Sequence, residues 1–569
     1  MRRLVLSRLT PLCAVLALSA VGCDGKEATD TPTTDDGGGD DGGSGDDGGS
    51  GDDGGSGDDG GSGDDGASGD DGGTGDDGVD GTDADGDGYA AEVDDCDDAN
   101  PDVNPGASDD AWNDRDCVPG IERSSVGATI SGGRGVTFVG FGVAIVDDLD
   151  GDGINDIYSQ AYAVNDGMAV VWSGADLAPG AALTPADALG NYIVPTEFLL
   201  SSVSGDPLNT GHPTAILKFS PDWDEDSVYL LDLADVAAGT APTYTDLPKV
   251  DGLGFDGGYT HGQGHTSDID LDGDGIDDLI LGTPFYHSTE SMADVGRIDV
   301  HLGASFAVAP QRTWEDSDAT VIGDRYGGLG DFVANGGDID GDGIDDLLTG
   351  ATYYIDPRTG DEHAGAGFVL SGAALAEDDI ASPLDAMITV LGREGASYDI
   401  NMGQQGGVYG DVTGDGVAEL YFSSTGAYGD AGAAWIFDGT ELEAGLYTID
   451  DAMTEVRGVH TFDFVGYFVT ANFDFDGDDL ADAVFVGRNY GADHYMVTGE
   501  QVAEGGVIDF EEDEVFATWG TELVDYTTHG DTAVGDIDGD GEDELVLGAA
   551  FDTLDETESG GIYAIHNRP

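Results

Sequence analysis

DLDGDGIDD, residues 270–278, alternates carboxylates with glycines and then runs straight into the apolar stretch Leu279-Ile280-Leu281. The same pattern stands at DLDGDGIND from Asp148 and DIDGDGIDD from Asp338. Variants stand at DVTGDGVAE from Asp411, DFDGDDLAD from Asp474 and DIDGDGEDE from Asp536. A degenerate copy, DPLNTGHPT from Asp206, keeps the first Asp and the glycine and is followed by Ala215-Ile216-Leu217. Counting it, seven units start 58 to 73 residues apart. A repeat of that kind decides the fold before any single residue does.

Each unit carries further strand signals. An apolar run follows the acidic loop, as in LILG from Leu279 or LVLG from Leu545. Farther on comes a second run rich in β-branched and aromatic residues: MAVVWSG, RIDVHLG, GFVLSG, AAWIFDG, HYMVTG and GIYAIHN. Short strands at even spacing with Gly-rich turns predict an all-β fold, a seven-bladed β-propeller with four-stranded blades over residues 121–569. Ahead of several loops sits another strand, DATVIG from Asp318 or MITVLG from Met387, and its counterpart before the first loop is GATISG from Gly127. After GIYAIHNRP there is no further copy, so the segment near Gly127 to Ser131 is expected to supply the last blade's missing strand and remove two open edges.

The charge balance is lopsided, with 118 acidic against 17 basic side chains and a net charge of −101. Phosphate backbones are held by clustered Lys and Arg, and no basic residue lies between Lys26 and Arg115, which argues against nucleic-acid binding. Carboxylate blocks stay solvated and extend a chain, whereas carboxylates at short regular spacing can converge on a hard cation.

The first 22 residues read as an export signal: basic Arg2, Arg3 and Arg8, then an apolar stretch from Leu9 to Val21 too short to span a bilayer stably. Ser19-Ala20-Val21-Gly22-Cys23 resembles a bacterial lipobox, with Ala20 where Leu is commoner, and implies lipidation of Cys23. The expected location is the bacterial outer membrane or cell surface through that anchor, otherwise secretion. Cys13 leaves with the signal, so Cys96 and Cys117 remain as one pair, which suits an oxidising compartment. Residues 23–81 contain GGSGDD repeats that cannot bury apolar surface; they are expected to be a disordered acidic stalk spanning on the order of 45 Å.

Residues 82–120 form a small separate module. It opens DADGDGYAAEVD, which places Asp83, Asp85, Asp87 and Asp94 at positions 1, 3, 5 and 12 of an EF-hand-like loop with Gly88 at the turn. The continuation DDCDDANPDVNPG resembles the MopE-type metal-binding motif and the calcium repeats of thrombospondins, although its tail NDRDCVPG departs from the usual cysteine-richer form. So short a segment cannot build a core, so a Cys96–Cys117 disulfide and one or two ions are expected to hold it. The module has no His or Met, which favours oxygen ligands and calcium.

In D-x-D-x-D-G-x-x-D, positions 1, 3, 5 and 9 offer carboxylate oxygens and position 7 a carbonyl, with glycine at position 6 allowing the tight turn. Such loops, with Phe141-Gly142 ahead and Gly282-Thr283-Pro284, Gly350-Ala351-Thr352 and Gly548-Ala549-Ala550 behind, resemble the FG-GAP repeats of integrin α-subunit heads over about residues 124–569. The resemblance implies calcium at about six propeller sites. Its ligands would be Asp148, Asp150, Asp152, Ile154 and Asp156 in blade 1; Asp270, Asp272, Asp274, Ile276 and Asp278 in blade 3; and Asp338, Asp340, Asp342, Ile344 and Asp346 in blade 4. Blade 7 would use Asp536, Asp538, Asp540, Glu542 and Glu544, with the position-7 residue giving its carbonyl throughout. Weaker binding is expected in blade 5, where Thr413 stands beside Asp411, Asp415, Val417 and Glu419. The same holds for blade 6, where Asp479 replaces glycine beside Asp474, Asp476, Asp478, Leu480 and Asp482. Blade 2, with Leu208, Thr210 and Thr214 in place of acids, is expected to bind nothing.

Extracellular calcium modules bind at about 0.1–1 mM, and a tenfold excess stabilises by about 1.4 kcal/mol per site. Six sites would give roughly 8 kcal/mol, comparable to a whole domain's stability, so the ions are expected to be structural. No H-E-x-x-H or G-x-S-x-G occurs. Gly252 to Gly257 matches G-x-G-x-x-G but lies in a loop of a β repeat, and His261 and His265 read as loop residues rather than a metal pair. The expectation is a non-enzymatic, monomeric adhesion or interaction module that meets a protein or glycan at the cell surface, with membrane contact through the lipid anchor alone. The alternative is a hydrolase or polysaccharide lyase using the central funnel, which the 17 basic residues make harder.

Overall fold

Runs such as Leu279-Ile280-Leu281 and Leu545-Val546-Leu547 are apolar without alternation, so they belong to strands covered on both faces. The computed structural model describes residues 127–566 except 133–135, 164–165, 195–199, 220–226, 253–263, 289–292, 324–326, 356–363, 379, 381, 393–400, 459–462, 476, 488–493, 511–516, 520–531, 540, 542 and 550–559. In this span the second strand of each unit starts at the last position of its acidic loop or one residue after. These strands are Asp156–Ala163, Thr214–Phe219, Asp278–Gly282, Leu347–Ala351, Glu419–Ser424, Asp482–Val486 and Glu544–Ala549.

Each of these strands sits second in an antiparallel sheet. Blade 4 runs outward through Leu329–Asn335, Leu347–Ala351, Ala366–Leu370 and Ile388–Leu391. The innermost strands, Val143–Val146, Leu200–Ser204, His265–Ile269, Leu329–Asn335, Gln405–Gly410, Phe468–Phe473 and Thr532–Gly535, each lie against the next, and the last lies against the first. The fold is the seven-bladed β-propeller that the repeats predict.

Among the described residues the apolar core divides into seven clusters, one at each junction between neighbouring blades. One joins Ile280 and Val300 of blade 3 to Leu347 and Phe368 of blade 4; another joins Ile130, Val546 and Ile562 of blade 7 to Ile157 and Trp172 of blade 1. A middle strand therefore meets an apolar cluster on either face, which explains its continuous apolar run.

Closure follows the expected route. Ala128–Ser131 pairs antiparallel with Gly561–Ile565 and becomes the outer strand of blade 7, although it precedes blade 1 in the chain. A second tie was not visible in the sequence. The connection leading to the outer strand of one blade reaches back and adds a short parallel strand to the blade before it. Ala182–Leu183 pairs with Thr129–Ile130, Gln311–Thr313 with Lys249–Asp251, Gly445–Thr448 with Ile388–Leu391, and Gly506–Asp509 with Thr454–Arg457. Four outer edges are thereby covered. The proposed signal, stalk and small module, including Cys23, Asp83, Asp85, Asp87, Asp94, Cys96 and Cys117, lie outside the described residues.

Candidate metal centres in the blade loops

The acidic loops connect the first and second strands of each blade, and their backbone is folded by their own carboxylates. In blade 1, Asp148 Oδ1 accepts hydrogen bonds from the amides of Gly151 and Asp152, at 2.6 and 3.0 Å, and Oδ2 accepts from Gly153 at 2.7 Å. Asp152 in turn accepts from Ile154 N–H at 2.9 Å. Asp270, Asp411 and Asp474 repeat the first pattern, and Asp274, Asp342, Asp415 and Asp478 the second. These amide donors hold the Asp148 carboxyl below its ordinary range, the Gly153 bond most of all.

Position 6 must turn left-handed. Gly153, Gly275, Gly343, Gly416 and Gly541 have φ between 83 and 93°, and Asp479 in blade 6 takes the same turn at φ 69° without being glycine. The degenerate blade 2 keeps the conformation too: Asp206 accepts from the amides of Thr210 and Gly211 at 2.9 and 2.6 Å, with Asn209 at φ 52°. Blade 2 has lost the other acids, not the loop.

The acid at position 9 is buried in all six acidic blades, at Asp156, Asp278, Asp346, Glu419, Asp482 and Glu544. One of its oxygens accepts from the position-2 amide: Leu149, Leu271, Ile339, Val412, Phe475 and Ile537 donate at 2.7 to 2.9 Å. In blades 1, 3, 4 and 6 the other oxygen accepts from the glycine amide just after the third strand, Gly174, Gly303, Gly372 or Gly499. These acids thus tie loop, second strand and third strand together. The position-2 side chain anchors the loop from the other side, with Leu271, Val412, Phe475 and Ile537 buried in the inter-blade core. This apolar position recurs in every acidic copy, and sequence reasoning passed over it.

The carboxylates converge. Asp148, Asp150 and Asp152 each place an oxygen within 4.8 Å of the others, as do Asp270, Asp272 and Asp278, and Asp338, Asp340 and Asp346. Two oxygens sharing one calcium at about 2.3–2.6 Å can be no more than about 5 Å apart, so all three groups meet the limit. Burial pushes Asp278 up to about 7 and Asp156 and Asp346 up to about 6, with neighbouring loop acids adding to the shift. Blade 5 supplies an independent sign. Glu419 is fully buried, its Oε1 has no hydrogen-bond partner, and burial raises it to about 7. A bound cation is the kind of partner such an orphaned oxygen needs. The donor set fits a hard divalent ion. Asp476, Asp540 and Glu542 lie outside the described residues.

The strand and loop order of the blades finds a counterpart in a known repeat. The FG-GAP repeat family matches residues 329–370 and 530–565, which cover the first three strands of blade 4 and all three of blade 7's own strands. The chain is an FG-GAP β-propeller. The FG-GAP propeller is similar to integrin alpha pat-2 of Caenorhabditis briggsae, at 26% identity over 272 residues, 44% of this chain and 21% of that protein. It is also similar to integrin alpha-5 of Xenopus laevis, at 29% over 168 residues, 28% of this chain and 15% of that protein. Integrin alpha-PS2 of Drosophila melanogaster matches at 27% over 243 residues, 38% of this chain and 16% of that protein. The chain thus spans about a fifth or less of the length of these relatives.

Two other motifs are placed by the FG-GAP propeller. Gly252, the start of the G-x-G-x-x-G match, follows the outer strand Lys249–Asp251; the rest of the match and His261 lie outside the described residues. His265 is on an innermost strand, with Nε2 2.6 Å from Ser202 Oγ of the neighbouring blade.

Proposed function

We propose that this FG-GAP propeller is a calcium-stiffened adhesion or interaction module, held at the cell surface by a lipid on Cys23 and an acidic stalk, which meets a protein or glycan partner. The observation that carries the calcium reading is the unpartnered Glu419 Oε1 in a loop whose backbone matches its siblings. The likeness to integrin α chains supports an adhesive role, and the carboxylate groups of blades 1, 3 and 4 support oxygen-ligated ions. Calcium would be held by the position 1, 3, 5 and 9 acids, where it neutralises charges that otherwise repel. The chain's own residues preform the loops through the amide bonds described above.

The first test is thermal unfolding of the whole exported chain after dialysis against calcium or against a chelator. A large fall in midpoint on chelation is expected, and an unchanged midpoint would remove the calcium reading. Binding to immobilised extracellular proteins and glycans, with and without calcium, tests the adhesive role. Absence of any calcium-dependent ligand would count against it. Metabolic labelling with a radioactive fatty acid tests the anchor, and label retained in Cys23→Ala would contradict it.

A further inference from the structure

In blade 1 the residue after the third strand stands over the acidic loop. Ser173 in blade 1 puts its hydroxyl 3.4 Å from Asp152 Oδ2, and the glycine beyond it bonds the buried position-9 acid. The corresponding residues are Leu302, Ser371, Asp438 and Thr498 in blades 3 to 6. In blade 7 the third strand ends at Ile565, and the next residue is His566.

His566 is fixed by its surroundings. Its Nε2 lies 2.9 Å from the Leu177 carbonyl oxygen, which can only accept, so in the neutral ring Nε2 carries the hydrogen and Nδ1 the lone pair. Nδ1 faces the loop, 3.4 Å from Asp538 Oδ2. Nδ1, an Asp538 oxygen and a Glu544 oxygen all lie within 4.8 Å of one another. The ring packs against Gly127, just ahead of the closing strand, where a Cβ would come 2.4 Å from its Cδ2. A carbonyl that holds the far nitrogen while the near nitrogen meets two carboxylates is the usual outer support of a metal-bound histidine.

We propose that blade 7 carries a mixed imidazole–carboxylate site, formed by His566, Asp538 and Glu544, that takes a borderline first-row divalent cation of the zinc class in preference to calcium. This rests on reading the acidic loops as cation sites. Calcium selects oxygen ligands, whereas imidazole suits zinc and its neighbours. Metal–ligand bonds of about 2.0–2.1 Å at tetrahedral angles give ligand separations of roughly 3.3–3.4 Å, close to the Asp538–His566 spacing. None of the corresponding residues in blades 1 and 3 to 6 brings a nitrogen, so the preference belongs to blade 7 alone.

The experiment is equilibrium dialysis of the metal-stripped full chain against micromolar zinc in millimolar calcium, with both metals counted by mass spectrometry. One zinc per chain that resists calcium is expected. His566→Gln should weaken zinc binding by about tenfold or more while leaving the calcium count unchanged. Asp538→Asn, at a partly exposed position, should do the same and guards against misfolding of the first variant. Zinc held equally by the parent and both variants, or no calcium-resistant zinc in the parent, overturns the proposal. Zinc bound with no calcium anywhere would support blade 7 while removing the calcium reading of the other loops.

Discussion

Thr129 lies opposite Tyr563 in an antiparallel ladder, so a strand that precedes blade 1 completes blade 7. Its neighbour Ile130 is fully buried in the cluster shared by blades 7 and 1. Ile130→Ala should destabilise the propeller by about 2–5 kcal/mol, as truncation of a large core side chain does, and should lower the urea midpoint of the whole ring in one transition. A variant with an unchanged midpoint would show that the ring does not depend on this closure.

Asp278 accepts the amides of Leu271 and Gly303 at 2.9 and 2.8 Å from a fully buried position. Asp278→Asn turns one acceptor into a donor that faces an amide. The expected loss is about 1–3 kcal/mol, present with and without calcium. The exposed Asp274→Asn should cost stability only when calcium is present. Chemical denaturation in the two conditions separates these cases; equal behaviour of both variants would deny the anchoring role of position 9.

Asp479 occupies the left-handed turn at φ 69° in an exposed loop. Asp479→Gly relieves that backbone and is expected to raise stability by about 1 kcal/mol. Differential scanning calorimetry of the calcium-free chain measures it, and a lower midpoint would mean that the Asp479 side chain holds the loop in some other way.

The position-9 acids also set a pH dependence. Burial raises Asp278 and Glu419 to about 7, and Asp156 and Asp346 to about 6. A carboxyl whose folded pKa is raised stabilises while protonated, fully below its ordinary range near 4, and that stability fades as pH rises through 6 to 7. A cation that replaces the proton acts over the same window. The midpoint gap between calcium-loaded and calcium-free protein should therefore widen from pH 5.5 to pH 8. A gap independent of pH would contradict the assigned coupling.

Much of the architecture was legible because it repeats. DLDGDGIDD and its six relatives, each followed by an apolar run, yielded blade number, loop position and even the role of residues 128–131 in closure. That works because a short loop dictates its own shape: carboxylates three to five residues from the amides they accept, and glycines where φ must be positive, need no distant partner. The double duty of position 9 was less visible, since its second hydrogen bond comes from a glycine 17 to 26 residues onward.

Contacts between blades were settled only by the assembled ring. Nothing near Gly445–Thr448 signals that it pairs parallel with Ile388–Leu391 of the blade before. His566 stands beside Asp538 within blade 7, but it meets Leu177 only because the ring brings the end of the last blade against the first. Local sequence determined the repeating unit and its acidic turn, whose partners lie within a few residues. Tertiary structure decided which side chains meet across a junction, because those neighbours are set by the curvature and closure of the whole circle.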